Sequence, residues 1–314
     1  MMAQVEQIEQ LDFGELPRFS VEALGIETSY YEMRQGNAME LIEPVETNGL
    51  RQAQAASGLR QAQAASGLRQ AQSSLPPNKP TVLLLHGMTS SGDAYRELMA
   101  ALADDYHLIA PDIPGFGFSD MTTPYTMDHL VEWVAAFLDV LGVAQCLVVG
   151  HSFGGVLAAH FALAYPEDVA RLVLIAPALL SAQNVPDVLI KAGISLGLVD
   201  LGTTISQSRL VLPYQVKSAF YQPEQQPDSL WPRRMRDYQN ARASADVLKA
   251  MAYNGSGPDL SKLAHPICLI WGEDDAVVSV ADGEALVALF PNAELHRLAA
   301  CGSCAGAREN GRCG

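Results

Sequence analysis

Short apolar runs alternate with longer amphipathic stretches through the middle and the end of the chain. Strands are predicted at residues 81–85, 107–110, 146–149, 171–175, 266–271 and 294–298. The continuous apolar run at 81–85 is typical of a parallel strand buried on both faces. The amphipathic stretches predict helices at residues 95–103, 127–141, 156–161 and 281–289. Strands that alternate with helices indicate a parallel sheet covered on both faces. We therefore expect an α/β fold with a doubly wound, mostly parallel sheet.

The alternation stops between residues 177 and 261, where short helical pieces, several prolines and scattered aromatic residues replace it. An interruption of this size within an α/β sheet indicates a helical cap inserted over the carboxyl ends of the strands, where ligands bind in such folds. We expect a first part of the core at 1–176, the helical cap at 177–261, and a second, incomplete part of the core at 262–314.

Two further segments precede the first buried strand. Residues 19–33 alternate loosely and predict a strand or a hairpin at a sheet edge. Residues 49–72 repeat Gly-Leu-Arg-Gln-Ala-Gln-Ala-Ala-Ser with a period of nine, and no copy has an apolar face. The units of a solenoid are about 20–50 residues long, so this repeat is too short to form one. It predicts a low-complexity surface insertion, with a partner-binding arm as the alternative.

Composition narrows the classes of function. The 314 residues are 49% hydrophobic, which is ample for a buried core, and their formal net charge of -15 argues against a nucleic acid or an anionic membrane as partner. No apolar run has the length of a membrane span, and residues 1–7 lack the pattern of a secretory signal. We expect a cytoplasmic protein that acts on a small molecule.

No motif calls for a cofactor or a metal ion. Gly115 and Gly117 lack a third glycine at the spacing of a dinucleotide-binding loop, and they follow a strand other than the first. Asp112 lacks neighbouring carboxylates, so a turn-stabilising role is the better interpretation. A metal site built on the three cysteines of the last fourteen residues would lack a fourth ligand there.

The strongest chemical signal is the pentapeptide Gly150-His151-Ser152-Phe153-Gly154, which joins a predicted strand to a predicted helix. A tight strand-to-helix turn forces the serine into a strained backbone conformation and projects its hydroxyl above the sheet. The free N–H groups at the start of the helix favour negative charge beside that hydroxyl. A serine that merely caps the helix is the alternative, but the flanking strand and helix favour a nucleophile.

Several motifs together resemble the α/β-hydrolase superfamily in its capped serine-hydrolase branch, over residues 80 to 300. In family order they are His86-Gly87, Asp112-x-x-Gly115-x-Gly117-x-Ser119, Gly150-His151-Ser152-Phe153-Gly154-Gly155 and Trp271-Gly272-Glu273-Asp274-Asp275.

The resemblance assigns a role to each of four positions. It implies that Ser152 is the nucleophile and Asp275 the acid of a catalytic triad, with Asp274 as the competing acid. It also implies that the backbone N–H groups of Met88 and Phe153 form an oxyanion hole. A serine at this position fits hydrolysis of a carboxylic ester or a similar acyl or C–C bond. Acyltransferase or haloperoxidase-like chemistry on the same scaffold stays open.

The catalytic histidine of the family has no counterpart in the matching stretch, where Ser303 occupies its position. No histidine follows His296, which we interpret as a structural residue on a strand. The residues after Gly302 show no apolar periodicity, which suggests a shifted reading frame or a truncated gene. We expect a serine hydrolase by descent whose activity is impaired. The alternative is a non-catalytic ligand-binding or regulatory protein.

Overall fold

The structure is a computed structural model, which describes residues 16, 18–33, 79–180, 192–208, 210–218, 220, 222–253 and 259–302. The nonapeptide repeat at 49–72 and the predicted position of the missing histidine, Ser303, lie outside the described residues.

One eight-stranded sheet forms the centre of the described chain, in the order β1-β2-β4-β3-β5-β6-β7-β8. The strands are β1 (Arg18–Ala23), β2 (Ile26–Met33), β3 (Thr81–Leu85), β4 (His107–Pro111), β5 (Cys146–His151), β6 (Val169–Ile175), β7 (Ile267–Gly272) and β8 (Ala293–Leu298). The strands β1 and β2 form an antiparallel hairpin, and β2 also pairs with β4 in antiparallel orientation. The remaining neighbouring pairs, from β4–β3 to β7–β8, are parallel. This confirms the predicted α/β fold and the edge hairpin.

Helices occupy the connections between the strands. They are α1 (Arg96–Leu102), α2 (Met127–Val140), α3 (Phe153–Ala164), α4 (Leu198–Ser206), α5 (Leu212–Ser218), α6 (Leu230–Gln239), α7 (Ser244–Tyr253) and α8 (Val280–Leu289). No helix in the described part of the chain is long and apolar enough to cross a membrane.

Both faces of the central strands β3 and β4 are buried, whereas β1 and β8 at the sheet edges have exposed positions. Leu83 and Leu85 of β3 belong to one core cluster with residues of α2 and α3. Val82 and Leu84 point to the opposite face and pack in a second cluster with Met99 of α1. Successive side chains of a strand alternate between faces, so a strand with apolar neighbours on both sides carries no polar positions.

Four helices, α4 to α7, lie between β6 and β7 in the chain, and we call them the inserted helices. They contact the loops that follow β3 and β4. The N–H of Ala243 donates to the carbonyl oxygen of Gly115 at 3.1 Å, and Arg233 of α6 pairs with Glu97 at 3.0 Å. Arg242 also donates to the carbonyl oxygen of Ser119. The inserted helices are therefore attached at the carboxyl ends of β3 and β4.

Candidate active site

Ser152 lies in a one-residue turn between β5 and α3. Its φ of 50° and ψ of -114° fall in a region that residues other than glycine rarely adopt. Its N–H donates to the carbonyl oxygen of Ile175 at 2.9 Å, and its own carbonyl oxygen accepts from Val156 at 3.2 Å. Its side chain makes no capping hydrogen bond to α3, so the hydroxyl does not serve as a helix cap. The strained turn that the sequence predicted is confirmed.

Glycines flank Ser152 because two segments of backbone meet there. A Cβ atom on Gly154 would lie 2.1 Å from the carbonyl oxygen of Leu85, and one on Gly150 would lie 2.4 Å from the carbonyl oxygen of Gly154. The start of α3 therefore packs directly against the end of β3. Side chains at these two positions would force the turn away from the sheet.

Replacing Gly154 by alanine should destabilise the protein strongly. We expect Gly154→Ala to lower the free energy of unfolding by about 3 kcal/mol or more, since β3 and α3 must separate to admit the methyl group. Gly202 of α4 is the matched control, because a Cβ atom there would meet nothing within 4 Å. Gly202→Ala should raise stability by about 1 kcal/mol through helix propensity. Urea unfolding followed by circular dichroism measures both, and equal stabilities would contradict the packing argument.

The two candidate oxyanion donors lie on backbone next to Ser152. Phe153 is the first residue of α3, where N–H groups have no carbonyl partner within the helix. Met88 follows Gly87, and a Cβ atom on Gly87 would lie 3.3 Å from the Cβ atom of Ser152. The loop after β3 thus passes directly against the Ser152 turn, as the assignment of Met88 requires.

His86 fixes the start of that loop. Its Nε2 accepts a hydrogen bond from the N–H of Ile113 at 2.9 Å, so the ring proton is on Nδ1, which lies 2.8 Å from the carbonyl oxygen of Gly87. Burial lowers the pKa of His86 to about 4. A neutral His86 therefore holds the ends of β3 and β4 together, and neither of its nitrogens is available to Ser152.

This assignment predicts a pH dependence of stability. Because the pKa of His86 is lower in the folded state than its usual 6.5, the unfolded chain binds more protons between pH 6.5 and 4. The contribution of neutral His86 is complete above pH 6.5 and is lost as the pH falls toward 4. Between pH 7 and 4.5 it should decrease by about 2–3 kcal/mol. His86→Gln should be less stable at pH 7 yet lose less on acidification in urea titrations. If the free energy of unfolding of His86→Gln and of the unmodified protein changed equally with pH, the predicted contribution of His86 would be wrong.

Asp112 organises the turn after β4. Its Oδ1 accepts from the N–H of Gly92 at 2.8 Å, and its Oδ2 accepts from the N–H of Phe118 at 2.9 Å. Burial raises the pKa of Asp112 to about 6, although these two bonds act in the opposite direction. Both carboxylate oxygens bind backbone, which agrees with the predicted turn-stabilising role.

Asp275 follows β7, and within the described part of the chain only one of its carboxylate oxygens is hydrogen-bonded. Oδ1 accepts from the N–H groups of Val277 at 2.8 Å and Val278 at 2.9 Å. Oδ2 is buried and has no hydrogen-bond partner among the residues that the structure describes. The side chain of the competing acid, Asp274, is exposed, whereas its N–H donates to the carbonyl oxygen of Cys301 at 3.0 Å. A buried acceptor with an unused oxygen is the feature that distinguishes Asp275 from Asp274.

The strands bring Ser152, Asp275 and the loop after β8 to one edge of the sheet. Ser152 follows β5, Asp275 follows β7, and β5 to β8 are consecutive parallel neighbours. A Cβ atom on Gly272 would lie 2.3 Å from the carbonyl oxygen of Cys301, so the loop after β8 packs against the end of β7. The next residues in that loop lead to Ser303, beyond the described part of the chain.

All seven histidines of the sequence fall within the described residues. His86 and His151 lie beside Ser152, but His86 binds backbone with both nitrogens. The side chain of His296 on β8 is 59% exposed, and its Nε2 lies 3.9 Å from a carboxylate oxygen of Glu294. The remaining histidines lie at the start of β4, on α2, on α3 and before β7: His107, His129, His160 and His265. None of the seven accounts for the unused oxygen of Asp275.

The structure also reveals site residues that sequence reasoning missed. Asp237 of α6 is buried where this helix meets the loop after β3, and its Oδ1 accepts from the hydroxyl of Ser91 at 2.7 Å. Arg234 donates to the hydroxyl of the preceding serine, Ser90, at 3.2 Å. The only sequence signal was an acidic residue among the arginines of an amphipathic helix, which is equally typical of an exposed surface.

Comparison with known families gives the context of this site. The family model described as the alpha/beta hydrolase fold matches residues 80–306. The chain belongs to the α/β-hydrolase fold family. The match includes every motif on which the resemblance was based and extends through the inserted helices.

Individual members of the family resemble this chain over most of its length. The uncharacterized hydrolase YugF of Bacillus subtilis is 29% identical over 230 residues, which are 72% of this chain and 84% of the relative. A 2-hydroxy-6-oxononadienedioate/2-hydroxy-6-oxononatrienedioate hydrolase of Paraburkholderia phymatum is 33% identical over 237 residues, 71% of this chain and 81% of the relative. These relatives are named as hydrolases, which supports hydrolase activity by family resemblance.

Solved structures share the fold at lower identity. The crystal structure of a putative lipase from Acinetobacter baumannii superimposes with a TM-score of 0.67 at 21% identity, covering 97% of this chain and 90% of that one. A thermophilic esterase from Thermogutta terrifontis gives a TM-score of 0.65 at 17% identity, covering 92% of each chain. Likeness at this identity establishes the fold alone.

Proposed function

We propose that this chain is a serine hydrolase, with Ser152 as nucleophile, that acts on a carboxylic ester or a similar acyl or C–C bond. The observation that carries the proposal is the strained Ser152 turn, whose hydroxyl makes no capping bond and adjoins the first N–H of α3. Strain at one non-glycine residue is costly and persists where the surrounding structure enforces it for a function.

In the proposed mechanism, the hydroxyl oxygen of Ser152 attacks the carbonyl carbon of the substrate. The backbone N–H groups of Met88 and Phe153 donate to the oxygen that becomes negative, and one such donor typically contributes about 3 kcal/mol. Asp275 is assigned as the acid that orients an imidazole, because its buried Oδ2 is free to accept a ring N–H. The inserted helices, within residues 177–261, act as a cap that excludes water and shapes the substrate pocket.

We further propose that the hydrolase is impaired. A serine hydroxyl is a weak nucleophile near neutral pH and needs a base to take its proton. Ser303 stands at the family position of that base, and both nitrogens of His86 bind backbone. The non-catalytic binding role therefore remains as a second candidate, and it is favoured by this one observation.

Slow acylation distinguishes the two candidates. We expect p-nitrophenyl acetate to acetylate Ser152 slowly, at a rate that rises with pH as hydroxide replaces the base. The acyl group should persist because its hydrolysis needs the same base. Intact-protein and peptide mass spectrometry would locate the added acetyl group, and Ser152→Ala is the control. Acetylation confined to lysines and tyrosines, and unchanged in Ser152→Ala, would contradict the nucleophile and favour the binding role.

A further inference from the structure

Helix α6 contacts the loop between β3 and α1 at two consecutive serines. Asp237 accepts from the hydroxyl of Ser91 at 2.7 Å, and Arg234 donates to the hydroxyl of Ser90 at 3.2 Å. Arg234 and Asp237 also pair with each other at 3.2 Å, one turn apart on the helix. Residues 146 positions apart in the chain are thus joined by a buried polar network. We call these four residues the α6–serine network.

The network is buried, so its geometry is enforced. Ser90 and Ser91 are 4% and 2% exposed, and the side chains of Asp237 and Arg234 are 4% and 12% exposed. Burial raises the pKa of Asp237, while Arg234 and Ser91 act in the opposite direction. A buried carboxylate needs such partners, and removing either leaves the other polar groups inadequately satisfied.

The loop has anchors in the core at both of its ends. His86 binds the backbone of Gly87 and Ile113 at the start, and the N–H of Gly92 donates to Asp112 at the end. Between them, Thr89 has a φ of 60°, a left-handed conformation that a threonine does not favour. In the middle of the loop the side chain of Met88 packs against the core, and the α6–serine network binds the two residues directly after Thr89.

Met88 lies in this middle part, two residues before Ser90. The N–H of Met88 belongs to the same peptide unit as the carbonyl oxygen of Gly87, which lies 2.8 Å from Nδ1 of His86. His86 thus holds this unit from the side of β3, and a shift of Ser90 and Ser91 would act on it from the other side, through the strained Thr89. Oxyanion stabilisation is sensitive to such a shift, because the donor must lie close to 3 Å from the developing charge.

We propose that Asp237 is a positioning residue that acts through Ser91 to hold the N–H of Met88 in place for the oxyanion. The proposal rests on the proposed function of the site. It assigns to the inserted helices a part in the chemistry, in addition to forming the substrate pocket. A helix that only covered the site would not need a buried carboxylate on the oxyanion loop.

A boronic acid tests this proposal in the unmodified protein. When the hydroxyl oxygen of Ser152 binds the boron of phenylboronic acid, the serine proton passes to the buffer and the boron becomes tetrahedral and negatively charged. The N–H groups of the oxyanion hole can then donate to an oxygen on that boron. Boron-11 NMR distinguishes the tetrahedral adduct from the trigonal free acid, and titration gives its affinity. Benzamide, which forms no adduct, reports on the pocket alone.

We expect Asp237→Asn and Ser91→Ala each to weaken adduct formation about tenfold, a fraction of the effect of removing a donor. Benzamide binding should stay within twofold. The double variant should lose no more than the stronger single one, because both changes break the same contact. Arg242→Gln is the matched control: it releases the inserted helices from the carbonyl oxygen of Ser119, on the other loop. Its adduct affinity should stay within twofold of the unmodified protein.

Three outcomes would overturn the proposal. Adduct affinity within twofold in both Asp237→Asn and Ser91→Ala would remove the positioning role while leaving the nucleophile intact. An equal loss in Arg242→Gln would show that general attachment of the inserted helices is responsible. If Asp237→Asn fails to fold by circular dichroism, the smaller change Ser91→Ala decides. Absence of a tetrahedral signal in the unmodified protein would contradict the proposed function, and this inference would fall with it.

Discussion

The unmodified chain should retain only the residual hydrolysis of p-nitrophenyl esters that the oxyanion hole and substrate binding support, and it should react poorly with fluorophosphonates. His86 is not available to take the proton of Ser152, because both of its nitrogens bind backbone, and His296 is exposed on β8. Removal of triad members in serine hydrolases leaves about 10³–10⁴-fold catalysis over water from the oxyanion hole and binding. Initial-rate measurements of p-nitrophenol release over a substrate range would determine this residual activity.

Ser303→His should restore part of the missing activity. The substitution supplies an imidazole at the family position, in the loop that packs against Gly272 through the carbonyl oxygen of Cys301. We expect a partial gain because a substitution at one position does not by itself fix the orientation of the new imidazole. Ser152→Ala should abolish this gain. Strong activity without any change at residue 303, lost in Ser152→Ala, would mean that another base serves.

Local sequence pattern was sufficient to predict most of the sheet and the turn at Ser152. The run at residues 81–85 became β3 with the same bounds, because a strand buried on both faces is made mostly of apolar residues. Likewise, Gly150 and Gly154 are required because a Cβ atom at these positions would lie only 2.4 and 2.1 Å from backbone carbonyl oxygens. Features that depend on neighbouring residues in the sequence, or on a uniformly apolar environment, can be predicted from the local sequence pattern.

Contacts between segments that are distant in the chain could not be predicted from the local sequence pattern. Asp237 and Ser91 look like ordinary surface residues in the sequence, and only the docking of α6 on the loop after β3 buries them. The same holds for Asp275, whose distinction from Asp274 is a buried Oδ2 and two bonds from the turn at Val277 and Val278. The family resemblance suggested the choice, and the hydrogen bonds supply a physical reason for it.

Once a base is present, replacing Asp275 should strongly lower kcat. In a Ser303→His background, Asp275→Asn should lower kcat toward the residual level, by up to about 10⁴-fold, because the amide favours the wrong tautomer of the imidazole and cannot stabilise its charged form. The isosteric side chain keeps an acceptor for the N–H groups of Val277 and Val278, so the fold should persist.

Asp274→Asn in the same background is the matched control. Like Asp275→Asn, it replaces a carboxylate oxygen by an amide nitrogen and removes one negative charge, but on an exposed side chain one residue away. The hydrogen bond from its N–H to the carbonyl oxygen of Cys301 is unaffected. Its kcat should stay within about twofold, since exposed charges of this kind contribute little. Steady-state kinetics on p-nitrophenyl acetate, with thermal unfolding to check the fold, would compare the two variants. A large loss in Asp274→Asn, with Asp275→Asn nearly unchanged, would transfer the role of the acid to Asp274.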